Sequence, residues 1–231
     1  MTRAQIVRRV LFAIFLLLVV MILSGIFMSI IFSSNPDLAK MSWAGGFFNQ
    51  LGFLIFSFIL ILILGKGNLK EYGFKLPKSL NWKVFTLSIL LGLTAVFLQS
   101  ILGGNGMEFI GDTSLLQKIG FMWIFASVSE EVFYRGLLQT TLKPIKDRGI
   151  RIFKLFLSLP VITAALLFSG VHSFLLTMGV DIITVSLILT FALILGLIAG
   201  VQRERTGSLI PAIIVHMCFN IGGSLPSLFN N

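Results

Sequence analysis

The sequence predicts an all-α fold: a polytopic transmembrane helix bundle of about seven spans, or eight if 150–159 forms a half-helix, in one integral-membrane domain over 1–231. Three observations carry this expectation. The 231 residues are 56% hydrophobic and only 12% charged, with a mean hydropathy of +1.00, whereas a soluble domain carries about 25% charged residues. Apolar runs of spanning length alternate with short polar or basic connectors. With a cytoplasmic N-terminus, fifteen of the eighteen Lys and Arg residues fall in inner segments. Only Lys40 and Lys118 lie outside, and Arg135 falls within a helix. That asymmetry is the positive-inside signature.

The elements follow in order. Arg3, Arg8 and Arg9 precede an apolar run over 10–32, too long for a cleaved signal peptide and without a small-residue cleavage site; it is read as helix one. A polar loop at 33–37 leads to helix two over 43–65, where Gly45, Gly46 and Gly52 permit close helix approach. The basic connector 66–78 precedes helix three over 84–102. The glycine-rich loop 103–114 carries Glu108 and Asp112. Helix four spans 119–142, and a second basic connector covers 143–151. Arg151 and Lys154 interrupt the next apolar stretch, so 150–159 is expected to lie along the interface, with a break near Pro160. That break shortens the climb to His172 from about 27 Å to about 18 Å, level with the acidic pair of helix four. Helix five then runs to about Met178, helix six over 182–201 and helix seven over 209–221. No internal repeat of the kind found in many transporters is present.

The net charge of +9 does not indicate nucleic-acid binding, because the basic residues sit in short clusters between apolar runs and not on one face. The single cysteine, Cys218, allows no internal disulfide. The partners implied are the lipid bilayer and whatever the intramembrane polar residues act on.

Five ionisable residues lie well inside apolar runs: Glu130, Glu131, Arg135, His172 and His216, including both histidines of the chain. Such residues are costly in a bilayer and mark functional sites by default, although a lone histidine also serves as a helix–helix hydrogen bond. Adjacent helical residues are separated by about 100°, so Glu130 and Glu131 do not readily point at one spot. Glu131 and Arg135 are four apart and share a face; a structural ion pair is their simplest reading. Glu130 is left without a local partner and is the candidate general base or acid. Phe168 sits one turn before His172, where it either packs against the ring or fills the core. His216 and Asn220 also share a face and can act as two hydrogen-bond donors to an oxyanion, while Asn220 alone also fits a packing hydrogen bond. A base, a histidine and a His/Asn pair on three helices form a hydrolytic constellation. Gly-x-Ser-x-Gly, an intramembrane Asp pair and His-Glu-x-x-His are all absent.

The pattern Glu130-Glu131-x-x-x-Arg135, Phe168-x-x-x-His172, His216-x-x-x-Asn220 resembles the three-motif signature of the CAAX-protease and bacteriocin-processing family of intramembrane endopeptidases. It is also called the Abi or type II CAAX prenyl endopeptidase family. The Arg203–Ser208 turn and Tyr72-Gly73-Phe74 are similar to that family as well. The resemblance implies a catalytic core over about 119–223. Glu130 would activate water, His172 would help hold it, and His216 with Asn220 would form the oxyanion site. Glu131, Arg135 and Phe168 would support them. It leaves open a glutamate mechanism without metal or a zinc enzyme, with Glu130, His172 and His216 as ligands. It implies a peptide or membrane-anchored protein substrate. The setting would be a bacterial cell membrane, with peptide processing or bacteriocin self-immunity as the role. Two other classes compete: a proton- or ion-coupled transporter using the same residues as a relay, and a non-catalytic membrane scaffold or immunity protein.

Overall fold

Long apolar helices make up most of the chain in the computed structural model, which describes residues 1–103 and 114–226. Helix α1 (Arg3–Ser34) begins at a capping box in which Thr2 and Gln5 satisfy each other's backbone N–H groups. Helix α2 (Ala44–Gly65) follows and ends on Lys66 in the left-handed conformation. Helix α3 (Trp82–Leu102) ends on Gly103, also left-handed. Glu108 and Asp112 of the expected glycine-rich loop lie outside the described residues.

Helix α4 is continuous over 115–141 but not uniform. A short α-helical start at Leu115–Gln117 gives way to π-helix at Lys118–Ala126, α-helix at Ser127–Glu131, π-helix again at Val132–Leu138 and α-helix at Gln139–Thr141. The acidic pair thus sits in one regular turn between two widened ones, and such widening marks functional positions in helices.

The expected half-helix at 150–159 is instead an antiparallel β-hairpin, β1 (Gly149–Ile152) against β2 (Leu155–Ser158). The residues are β-branched and aromatic, favouring strand, and the turn at Phe153 has φ +52°. Ile150, Ile152, Phe153 and Phe156 are exposed. The break near Pro160 is present: Ser158 caps helix α5 (Leu159–Val171), whose first turn holds the proline. The chain then tightens into a 3-10 helix, His172–Met178, and continues as α6 (Ile182–Thr206), capped by Asp181, and α7 (Ile210–Ser224).

Among the described residues, five helical segments are long and apolar enough to cross a membrane: Arg3–Ser34, Ala44–Gly65, Trp82–Leu102, Leu159–Met178 and Ile182–Thr206. Helix α7 has 15 residues, about 22 Å, short of the roughly 30 Å hydrocarbon layer. The expected count of seven full spans is therefore not confirmed; the described residues are mostly helical, with five helices of spanning length and composition. The chain is an integral membrane protein.

Packing follows small residues. A Cβ on Gly92 of α3 would stand 2.2 Å from Phe219 O of α7, and one on Gly222 of α7 would stand 2.1 Å from Ile89 O. Backbone therefore rests on backbone, as in membrane helix pairs. Gly52 meets Ser24 of α1 in the same way, whereas Gly45 and Gly46 have nothing within 4 Å. The core between these contacts centres on Phe133, Tyr134, Leu137, Leu138 and Phe168.

Candidate active site

The three motifs converge. Glu131 and Arg135, both fully buried, form the expected ion pair, with Nε 3.1 Å from Oε2. The pair is out of line for a hydrogen bond, so charge attraction holds it. Arg135 also donates to Gly196 O of α6 at 3.1 Å and lies 5.0 Å over the Phe168 ring. Three kinds of contact thus compensate its burial.

His216 reaches in from α7. Its Nδ1 lies 3.0 Å from Glu131 Oε1 and its Nε2 lies 3.7 Å from Glu130 Oε2. The carboxylate oxygen accepts, so Nδ1 carries hydrogen. Glu130 has no partner on its own helix, as its position predicts, but it has one on α2: Gln50 Nε2 donates to Oε1 at 2.6 Å. Ser129 in turn donates to the Gln50 backbone carbonyl at 2.8 Å, tying the two helices at that level.

His172 is the first residue of the 3-10 helix that follows α5. Its Nδ1 donates to Phe168 O at 2.8 Å, since a carbonyl only accepts. That fixes the tautomer and leaves Nε2 for other partners. Phe168 is more than core filler. Its ring meets His172 at 5.2 Å, His216 at 5.5 Å and Tyr134 at 5.0 Å, each edge to face.

Glu130 and His172 line one cavity of about 330 Å³ with Gln50, Tyr134, Phe168 and Phe174. Its walls are otherwise mostly apolar and include Met21, Phe53, Leu175 and Met178. The cavity therefore offers a carboxylate and an imidazole to a ligand whose remainder is greasy.

Asn220 sits beside this constellation and is already committed. Its amide nitrogen donates to Met122 O at 3.0 Å and to Ser127 Oγ at 3.1 Å, so both hydrogens fasten α7 to α4. Asn220 thus ties the two helices together beside the cavity. Tyr134, which sequence reasoning passed over, offers a different donor. It is 1% exposed, it lines the cavity, and its hydroxyl has no hydrogen-bond partner. Gln50 and Tyr134 had weak sequence signals: an amide in the apolar run of α2, and one of only two tyrosines.

A zinc set of Glu130, His172 and His216 does not fit this geometry. Among the described residues, no group of three His, Cys, Asp or Glu side chains is arranged to hold a metal ion.

The two outlying family-like stretches pack on one another. Leu209 N donates to Gly73 O at 2.9 Å, Ser208 donates to Lys75 O, and Arg203 donates to Glu71 O at 2.9 Å. Gly73 has φ +96°, and a Cβ there would stand 2.8 Å from Arg203 Nε, so the turn and the connector fit only without a side chain at that position.

Residues 112–222 match the family model described as Type II CAAX prenyl endopeptidase Rce1-like. The matched stretch is just under half of the chain and takes in all three motifs. It is the family that the motif signature resembles. No curated protein and no solved structure gave a significant match to the chain.

Proposed function

We propose that this chain, a CAAX-type intramembrane endopeptidase by its family, hydrolyses peptide bonds of membrane-associated substrates with Glu130 as the base. The observation that carries this reading is the shared cavity: Glu130 and His172 line it together, on walls that suit a lipid-attached or apolar peptide. A water between them attacks the scissile carbonyl carbon, and Glu130 takes its proton. The carbonyl becomes a tetrahedral oxyanion. The C–N bond then breaks, and the proton on Glu130 passes to the leaving amine.

His172 holds the water through Nε2, because its Nδ1 is tied to Phe168 O. His216, oriented by Glu131, supports Glu130 from behind. The unpartnered Tyr134 hydroxyl in the cavity wall donates to the oxyanion. Asn220 positions α7 against α4. The substrate class is a short membrane-anchored or leader-type peptide, prenylated or not, in a bacterial cell membrane.

The test uses purified protein in detergent with peptides bearing a C-terminal Cys-aliphatic-aliphatic-X end, with and without a prenyl thioether. Mass spectrometry reads the products. The wild type is expected to release a short C-terminal fragment. Glu130→Gln is expected to be about a hundred- to ten-thousandfold slower. A wild-type rate in that variant would overturn the assignment of Glu130.

A further inference from the structure

The basic end of the bundle holds a second cavity, of about 350 Å³, which shares no lining residue with the first. Six cations line it: Lys70, Lys75, Lys143, Lys146, Arg203 and Arg135. They come from the two basic connectors and from the ends of α4 and α6. Two carboxylates oppose them. Glu71 is 3.2 Å from Lys143 and is matched by it. Glu204 accepts from Ser158 at 2.5 Å. With the Lys143–Glu71 and Arg135–Glu131 pairs set aside, Lys70, Lys75, Lys146 and Arg203 face Glu204 as the sole carboxylate among the described lining residues.

The inner wall carries a second, independent sign of a ligand. Arg135 is fully buried, yet its Nη1 has no hydrogen-bond partner. Arg203, 9% exposed, likewise keeps Nε unpaired while its Nη2 donates to Glu71 O and Thr140 Oγ1. Two guanidinium groups whose charge is not fully hydrogen-bonded by protein thus lie in the wall of a lysine-rimmed cavity, a setting that suits an oxygen-rich anion. Gln139 Oε1, the unpaired acceptor on the same wall, suits a hydroxyl on that ligand. A single carboxylate would leave most of the cationic surplus unmatched, whereas a phosphate with several oxygens matches lysines and guanidinium together.

We propose that this cavity binds a phosphate group, carried either by an anionic lipid headgroup or by a soluble phosphate, with Arg135 at its inner end and the lysines at its rim. Because Arg135 also pairs with Glu131, and His216 joins Glu131 to Glu130, the occupant is linked through side chains to the first cavity. Basic residues flanking membrane helices attract anionic headgroups.

The test compares the wild type with Lys75→Gln/Lys146→Gln, two exposed positions outside the proposed catalytic machinery. Native mass spectrometry in neutral detergent counts retained phosphatidylglycerol, with phosphatidylcholine as control. Thermal unfolding reads sodium phosphate against sodium acetate. If the ligand is a lipid, the wild type keeps one phosphatidylglycerol and the double variant binds it about tenfold more weakly or worse. If it is a soluble phosphate, phosphatidylglycerol is not retained, and phosphate but not acetate raises the wild-type unfolding temperature, with the rise lost in the variant. Binding unchanged in the variant would overturn the proposal, as would a wild type that prefers neither phosphatidylglycerol over phosphatidylcholine nor phosphate over acetate. The wild-type arms stand even if the variant folds poorly, and they are independent of peptidase activity.

Discussion

His216 presents its two ring nitrogens to two adjacent carboxylates, Nδ1 at 3.0 Å from Glu131 and Nε2 at 3.7 Å from Glu130. Neighbours on a helix diverge by about 100°, so these two side chains do not meet each other. One imidazole entering from α7 joins them. The result is a row of groups, Arg135, Glu131, His216, Glu130 and Gln50, drawn from α4, α7 and α2. Glu131 and Arg135 are fully buried, whereas Glu130 opens on the cavity. The roles of two identical side chains are set by which helix each one faces.

The inner pair predicts a characteristic stability pattern. Arg135→Met leaves Glu131 buried without its cation and is expected to cost about 3–5 kcal/mol. Adding Glu131→Gln removes the stranded charge and is expected to recover a large part of that loss. Chemical or thermal unfolding in detergent measures both. If the double variant is no more stable than the single one, the buried pair is not the cause.

Gln50 supplies a prediction on activity. Its donated bond holds one oxygen of Glu130, and a hydrogen bond to a charged group is worth about 1.5–3 kcal/mol. Gln50→Leu keeps the apolar packing of α2 and is expected to lower kcat/KM about ten- to hundredfold. Peptide-cleavage kinetics on the matched substrate decide it; a rate equal to the wild type would remove Gln50 from the site.

The sequence made the helices and the first-rank site residues legible because both depend on sharp local signals. Apolar runs bounded by basic connectors marked the helix limits to within a few residues for most of the chain. Charges at membrane depth singled out Glu130, Glu131, Arg135, His172 and His216, and the Pro160 break followed from matching depths. The remainder depended on information the residues do not carry locally. The hairpin at 149–158 is set by a turn at Phe153 that run-length reasoning cannot detect. The π-helical stretches of α4, Lys118–Ala126 and Val132–Leu138, carry no residue pattern that distinguishes them from α-helix. Gln50 and Tyr134 are uncharged, so membrane cost does not flag them. Asn220 was legible as a polar residue in register with His216, but the partners that claim its hydrogens, Met122 and Ser127, lie almost a hundred positions away.

The glycine contact between α3 and α7 predicts that the site is sensitive to changes far from its chemistry. A Cβ at position 222 would collide with the Ile89 carbonyl at 2.1 Å, and neither backbone can yield as a side chain would. Gly222→Val is expected to push α7 off α3, displace His216, which precedes it on the same helix, and lower both unfolding temperature and activity. Gly170→Ala, on α5 with nothing within 4 Å of its Cβ position, is the control and is expected to leave stability nearly unchanged. Equal effects of the two substitutions would refute the packing argument.

Tyr134 and Asn220 give opposite signatures if their roles are as proposed. Tyr134→Phe keeps the ring against Phe133 and Phe168 and removes a buried hydroxyl that has no partner. Stability should therefore hold or rise, while kcat falls about a hundred- to thousandfold for loss of an oxyanion donor, with little change in KM. Asn220→Ala removes two bonds that tie α7 to α4 and strands their acceptors, so stability should fall by about 1–3 kcal/mol together with activity. Steady-state kinetics and unfolding on the same two variants separate the roles. A Tyr134→Phe variant with full kcat, or an Asn220→Ala variant that loses kcat with unchanged stability, would return the oxyanion role to Asn220.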